Sequence, residues 1–167
     1  MFGPVDVKSL GWASYIVKFI NDASRKVCAY HVKIKGDVFE IFKKYIVSIQ
    51  REPKKFLKCL RIYNGGEFWS NAFKYYCNRF VIKHQNIFHG TPWLNGSRKM
   101  MNHTIMEKVR SIFSNLGLEK HFSVETVRTT CYLINYLPFR FLESGILQEV
   151  WISKRASYSH LKFLGCE

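Results

Sequence analysis

Apolar residues run from Tyr15 to Ile20, interrupted by the single charge of Lys18, and return from Lys26 to Ile34. Asn21-Asp22-Ala23-Ser24 lies between these runs and is a turn cluster, so the pattern predicts an antiparallel hairpin. Phe39, Phe42, Ile46 and Ile49 then recur at helical spacing. Asp37, with Glu40 three residues on, predicts a capping box at the start of that helix. Glu52-Pro53 marks its end. Phe56 to Arg61 predicts a short strand running into Asn64-Gly65-Gly66, a strong turn signal. Ser70 to Arg79 predicts a short helix and Val81-Ile82 a short strand, and Asn86 to Gly96 is expected to be a loop. A long helix is expected from there to about Asn115. Met101, Ile105, Val109, Ile112 and Leu116 would form its buried stripe, with Gly117 just past its end. A last helix starts near Ser123, carries Val124, Val127, Cys131 and Ile134 on one face, and is stopped by Pro138. The tail from Phe139 is expected to be irregular. Strands first, then alternating strands and helices, give an α/β fold with a mixed sheet flanked by helices.

The length of 167 residues is enough for one domain with a sizeable core, and 47% apolar content excludes a wholly disordered chain. Charge adds more. Lys and Arg number 26 against 12 acids, a net +14, which points to a polyanionic partner, with nucleic acid ahead of an anionic membrane. Only Asp6, Asp22 and Asp37 are aspartates, so chemistry that needs an aspartate cluster is disfavoured. No run of about 18 apolar residues occurs, so no membrane span is expected. The first residues lack a basic stretch followed by an apolar one, so a nuclear or cytoplasmic protein is expected, not a secreted one. Cys28, Cys59, Cys77, Cys131 and Cys166 are widely spaced with no C-x-x-C pair. Free thiols are expected rather than zinc ligands.

Two segments stand out chemically. Arg61 to Phe68 (RIYNGGEF) leaves a strand end at Tyr63, where a side chain is fixed by the strand yet open to solvent. Thr91 to Lys99 (TPWLNGSRK) leads from loop into the long helix. Around them lie Gly3-Pro4, FINDASRKV, CLR-x-x-NGGEF, FKYYC, IKHQ, MNHT, CYLIN-x-x-P, EVW and SYSHLKFLGC. In order and spacing these segments resemble the integrase catalytic core of copia-type retrotransposon Pol polyproteins, across nearly the whole chain. The resemblance implies an RNase H-like three-layer fold, with a core-like domain over 1–138, truncated at its N-terminal edge, and an irregular extension over 139–167.

The resemblance also implies two Asp and one Glu holding Mg²⁺ or Mn²⁺, since hard cations seek oxygen ligands and a metal pair can activate both oxygens of a phosphodiester exchange. Here the first Asp would fall upstream of Met1, Tyr63 stands at the second Asp, and Lys99 stands at the Glu, three residues before Asn102. A phenol with an ordinary pKa of about 10 is a poor ligand near neutrality, and an ammonium repels a cation. No metal cofactor is therefore expected, and strand transfer by this chain is expected to be lost. Asp6 lies too far along an extended strand to substitute, Asp22 is expected in the hairpin turn, and Glu67 alone cannot hold a metal pair.

Other candidates divide the same way. His84, His89 and His103 lack partners at ligand spacing and are expected to be structural or exposed. Trp93 could stack on a base, but packing on its own domain is the stronger expectation. Lys83, Arg98, Lys99, Asn102 and Lys108 are the candidate DNA or RNA contacts, because phosphate binding needs positive charge rather than metal. Lys108 and its neighbour Arg110 could equally form a solvated basic face. Three functional readings follow: a catalytically inactive integrase core that binds nucleic acid, an oligomeric or integrase-binding partner, or a decayed fragment. Val81, where the family has a small turn Gly, counts against stability.

Overall fold

The computed structural model describes residues 12–52, 55–62, 66–87, 92–139 and 145–161. The predicted hairpin is there. Strand β1 (Tyr15–Ile20) pairs antiparallel with β2 (Val27–Val32), from Tyr15 opposite Val32 to Ile20 opposite Val27. The turn is organised by Asn21, whose Oδ1 accepts from the Ala23 and Ser24 amides at 3.1 and 2.8 Å and from the Ser24 hydroxyl at 3.0 Å. This frees the Asp22 carboxylate, which pairs with Arg25 at 3.5 Å and with Arg61. Asp22 thus lies in the turn, as expected, but it ties the turn to the next strand rather than building it.

Helix α1 (Val38–Gln50) follows, but the expected capping box does not form. A tight turn over Lys35–Asp37 precedes the helix and leaves Asp37 with helical dihedrals and no side-chain cap bond. An N-cap residue normally holds extended dihedrals, so its oxygen can reach back to the first amides. Glu40 pairs instead with Lys43. Strand β3 (Cys59–Ile62) lies parallel to β4 (Lys83–Asn86), and α2 (Asn71–Arg79) connects them. Ser70 caps α2 by accepting from the Phe73 amide at 3.2 Å.

Val81-Ile82 is not a strand. The Val81 amide donates to Asn78 O at 3.1 Å and the Ile82 amide to Cys77 O at 2.8 Å. These are the paired bonds of a Schellman cap, with Val81 in the position that glycine usually fills. Its φ is +54° and it is 86% exposed, so its side chain packs on nothing that offsets the strain. Left-handed backbone costs a branched residue about 1–2 kcal/mol, while glycine loses about 0.5–1 kcal/mol more chain entropy. Val81→Gly is therefore expected to stabilise the chain by up to about 1 kcal/mol, a rise in Tm of about 2–4 °C by thermal unfolding.

Helix α3 spans Pro92–Leu116 and so begins inside the segment expected to be a loop. Proline at a first helical position gives up an amide that has no intrahelical partner there. Gly117 follows the helix at φ +58°. Helix α4 covers Ser123–Ile134. The tail expected to be irregular carries a short antiparallel pair, β5 (Pro138–Phe139) with β6 (Gly145–Ile146), and then α5 (Leu147–Ile152). Phe139 and Leu147 are buried with α3 and α4, which ties β5 and the start of α5 to that core.

The hairpin separates two cores. Successive strand residues face opposite sides. Val17, Phe19 and Val32 therefore pack with Phe42 and Ile46 of α1, Leu60 and Ile62 of β3, and Phe73 of α2. Ile16 and Val27 face Met101, Ile105 and Val109 of α3, Val124, Val127, Cys131 and Ile134 of α4, and Leu147. At the hairpin's edge, Asn135 substitutes for a neighbouring strand. Its Oδ1 accepts from the Val27 amide at 2.9 Å and its Nδ2 donates to Val27 O at 2.8 Å. Cys28, Cys59, Cys77 and Cys131 are free thiols, as expected. Among the described residues, no helix is long and apolar enough to cross a membrane.

Candidate functional site

Strands β3 and β4 are matched from Cys59 opposite Lys83 to Ile62 opposite Asn86, and the Ile87 amide closes the ladder on Ile62 O at 2.9 Å. Both strands therefore end at one level, and β3 delivers the chain there to position 63. Tyr63, like Asp6, His89 and Cys166, lies outside the described residues, as do the side chains of Trp93 and Arg98. Lys83 is at the other end of this ladder, about 10 Å back along the strand. The structure therefore does not bring Lys83 to the strand end where Tyr63 follows.

Lys99 is exposed on α3, about two turns in from Pro92. Asn102 is one turn further on. The buried stripe Met101–Ile105–Val109 divides the helix surface, and at 100° per residue Asn102 and Lys108 fall on opposite flanks of it. Lys99 lies on the Asn102 side. Lys108, also exposed, is thus separated from the pair that the sequence grouped it with.

Sequence reasoning missed Lys18. It projects from β1 toward the α3–α4 side of the hairpin, and its Nζ donates to Asn102 Oδ1 at 2.7 Å. The available signal was a charge at a position whose strand neighbours on the same face, Ile16 and Ile20, are apolar. The Lys18 charge also acts on Cys131, whose thiol is pushed up to about 12 by burial, only partly offset by that ammonium. A thiol so raised stays protonated at neutral pH and is no nucleophile. Arg61 was missed as well. It holds Asp22, and its Nε donates to Gln85 Oε1 at 3.4 Å.

His84 sits against Trp69 and Phe73, with ring centroids at 4.7 and 5.8 Å. Burial, with a smaller contribution from Lys74, lowers its pKa. It therefore packs as a neutral ring. His103 is exposed and faces Glu107 at 3.3 Å. Glu67 is half-buried in the Gly66–Phe68 turn. Among the described residues, no three His, Cys, Asp or Glu side chains are grouped to hold a metal ion. What the geometry does show is the Lys18 ammonium held by Asn102, one helical turn along α3 from exposed Lys99.

No protein-family profile matches the chain. It is 46% identical over 164 residues to the retrovirus-related Pol polyprotein from transposon TNT 1-94 of Nicotiana tabacum, covering 98% of this chain and 12% of that protein. It is 25% identical over 152 residues to the Pol polyprotein from transposon RE2 of Arabidopsis thaliana, covering 91% of this chain and 10% of that one. The chain thus spans about one-eighth of the first relative or less. Among solved structures, a simian T-cell lymphotropic virus intasome in complex with PP2A regulatory subunit B56 gamma superposes with a TM-score of 0.64 at 15% identity. That match covers 91% of this chain and 51% of that one. The architecture is RNase H-like α/β, and the resemblance drawn from the sequence motifs is borne out.

Proposed function

We propose that this integrase-like domain, related to retrotransposon Pol polyproteins, binds the phosphate backbone of nucleic acid on the Lys99 flank of α3 and does not itself catalyse metal-dependent strand transfer. The observation that carries this reading is the 2.7 Å bond from Lys18 Nζ to Asn102 Oδ1, which fixes a second ammonium one turn from Lys99. By the order and spacing of the motifs, Lys99 and Tyr63 occupy positions where the resemblance calls for acids. With the Lys18 ammonium held by Asn102 on the flank of α3 that carries Lys99, that flank is suited to phosphate and not to a divalent cation. The Pol and intasome relatives support nucleic acid as the polyanion. No base-reading contact is implied, so binding should be independent of sequence.

Titrating a fluorescent DNA duplex at increasing salt tests this directly. Affinity is expected to fall linearly in log–log form. Lys99→Ala should weaken binding several-fold and reduce the slope by about one, while Lys108→Ala alters it less. Mg²⁺ should leave the thermal midpoint unchanged, because an ion that binds only the folded chain would raise it. Salt-insensitive or absent binding overturns the first half of the proposal. Mg²⁺-dependent nicking by the unaltered chain overturns the second.

A further inference from the structure

Two cavities meet on β2. One, of about 230 Å³, lies between β2, α1 and α5 and is lined by Tyr30, Tyr45, Ser48 and Trp151. The other, of about 280 Å³, lies between β2 and α4 and is lined by Ala29, Arg128, Tyr132 and Tyr136. Lys26, Cys28 and Tyr30 belong to both, so the two form one groove across the strand.

The strand under this groove is an edge. Among the described residues β2 pairs only with β1. The bond from the Asn21 amide to Lys26 O fixes the phase of the antiparallel ladder. Residues 28, 30 and 32 then bond to β1, and Val27, Ala29 and His31 turn their amides and carbonyls outward. Val27 confirms this phase, because its outward pair is the one that Asn135 satisfies. The next outward pairs belong to Ala29, which lines the groove, and to exposed His31.

The groove's charge favours an acidic occupant. Lys26 and Arg128 line it, and Glu52 is the one carboxylate among the described lining residues. Lys26 and Lys55 both hold their ammonium groups against the Trp151 ring, at 5.0 and 4.1 Å from its centroid. Two cations on one indole repel each other, and an anion between them would relieve this. Burial foremost lowers the Lys26 pKa; Cys28 and Glu52 act against this, and Lys55 adds a smaller lowering. The flanking tyrosines and Trp151 offer rigid rings of the kind enriched at interfaces.

We infer that the outer edge of β2 takes an extended acidic peptide as an added strand, its backbone bonding to Ala29 and His31 and a carboxylate side chain entering between Lys26 and Lys55. Strand addition supplies affinity through main-chain bonds and specificity through alternate side chains. A nucleic acid has no such ladder to offer. A second copy of this chain would set Lys26 and Arg128 against their own like charges.

The test uses the full chain and a labelled, N-acetylated peptide of alternating Glu and Val, seven residues long, followed by fluorescence anisotropy. Saturable binding is expected. Methylating alternate backbone nitrogens of the peptide should weaken it at least about tenfold without touching the protein. The peptide with Lys in place of Glu should not bind. Lys55→Glu combined with Arg128→Glu should cost about tenfold while near-ultraviolet circular dichroism shows the fold intact. Absence of saturable binding, equal binding of the N-methylated peptide, or equal binding of the Lys peptide overturns the inference. So does displacement of the peptide by a short DNA duplex whose own binding the same two substitutions abolish, or a dimer by light scattering that Ala29→Pro dissolves.

Discussion

Phe42→Ala is expected to destabilise the chain by about 3–5 kcal/mol, the range for deleting a buried ring. Phe42 is fully buried where α1 meets both the hairpin and α2. Its ring stacks on Phe73 at 4.7 Å and meets Phe19 and Tyr76, each at 6.0 Å. Such pairs add about 0.5–1.5 kcal/mol to what burial alone supplies. Phe73 in turn touches Phe68 at 5.4 Å, so the cavity would open into a cluster of rigid rings that cannot collapse around it. Against a total stability of about 5–15 kcal/mol this loss leaves little margin. Urea unfolding should show a much lower midpoint at an unchanged slope, with Phe42→Leu losing far less. A loss under about 1 kcal/mol for the alanine variant would mean that this aromatic cluster does not hold the two faces together.

Asn135→Ala is expected to cost about 2–4 kcal/mol through a different mechanism. The side chain is nearly buried, and it satisfies both backbone groups of Val27. Each buried group left without a partner costs about 1–3 kcal/mol. The backbone of Asn135 contributes further, since its carbonyl accepts from the Gln148 amide at 2.8 Å and so anchors the start of α5. That bond survives the substitution, so the loss belongs to the side chain. Hydrogen exchange should show the Val27 amide losing protection beyond the global change, while β1 amides follow the global change alone. Asn135→Asp keeps an acceptor for the Val27 amide but loses the donor to its carbonyl and buries a charge. It should therefore be no better tolerated. Unaltered stability of the alanine variant would show that water replaces the amide at the groove wall.

Where the chain follows a simple period, its elements were legible beforehand. The hairpin was readable because a turn cluster separates two apolar runs, and α4 because Val124, Val127, Cys131 and Ile134 keep to one face. The start of α3 was hidden by Gly90, Pro92 and Gly96, which suggest a loop unless proline stands at the first helical position. Val81 reads as a strand residue by propensity, and only the amide bonds to Asn78 and Cys77 reveal a helix cap. The elements α5, β5 and β6 are too short for any period to show. Asp37 fits the capping signature by type and spacing, but the preceding turn had already set its dihedrals.

The candidate site divides along similar lines. Lys99 and Asn102 were identified through their place in a motif, and the structure keeps them on one flank. Lys83 and Lys108 were grouped with them by charge and sequence proximity. Strand direction removes the first and helical phase the second. Lys18 was invisible as a partner of Asn102 because the two are far apart in sequence, and only the packing of α3 on the hairpin joins them.

The hairpin that divides the two cores is a party wall between rooms furnished for different tenants. Phenylalanine and tyrosine rings crowd one side, while mostly aliphatic chains and Met101 fill the other. An insertion or deletion of one residue in β1 would swap sides for everything beyond it, sending Val17 and Phe19 toward the aliphatic room and Ile16 toward the rings. Neither room can accept the other's occupants at native density. Descendants of this sequence can therefore drift in length through their loops, but β1 and β2 must keep step with each other.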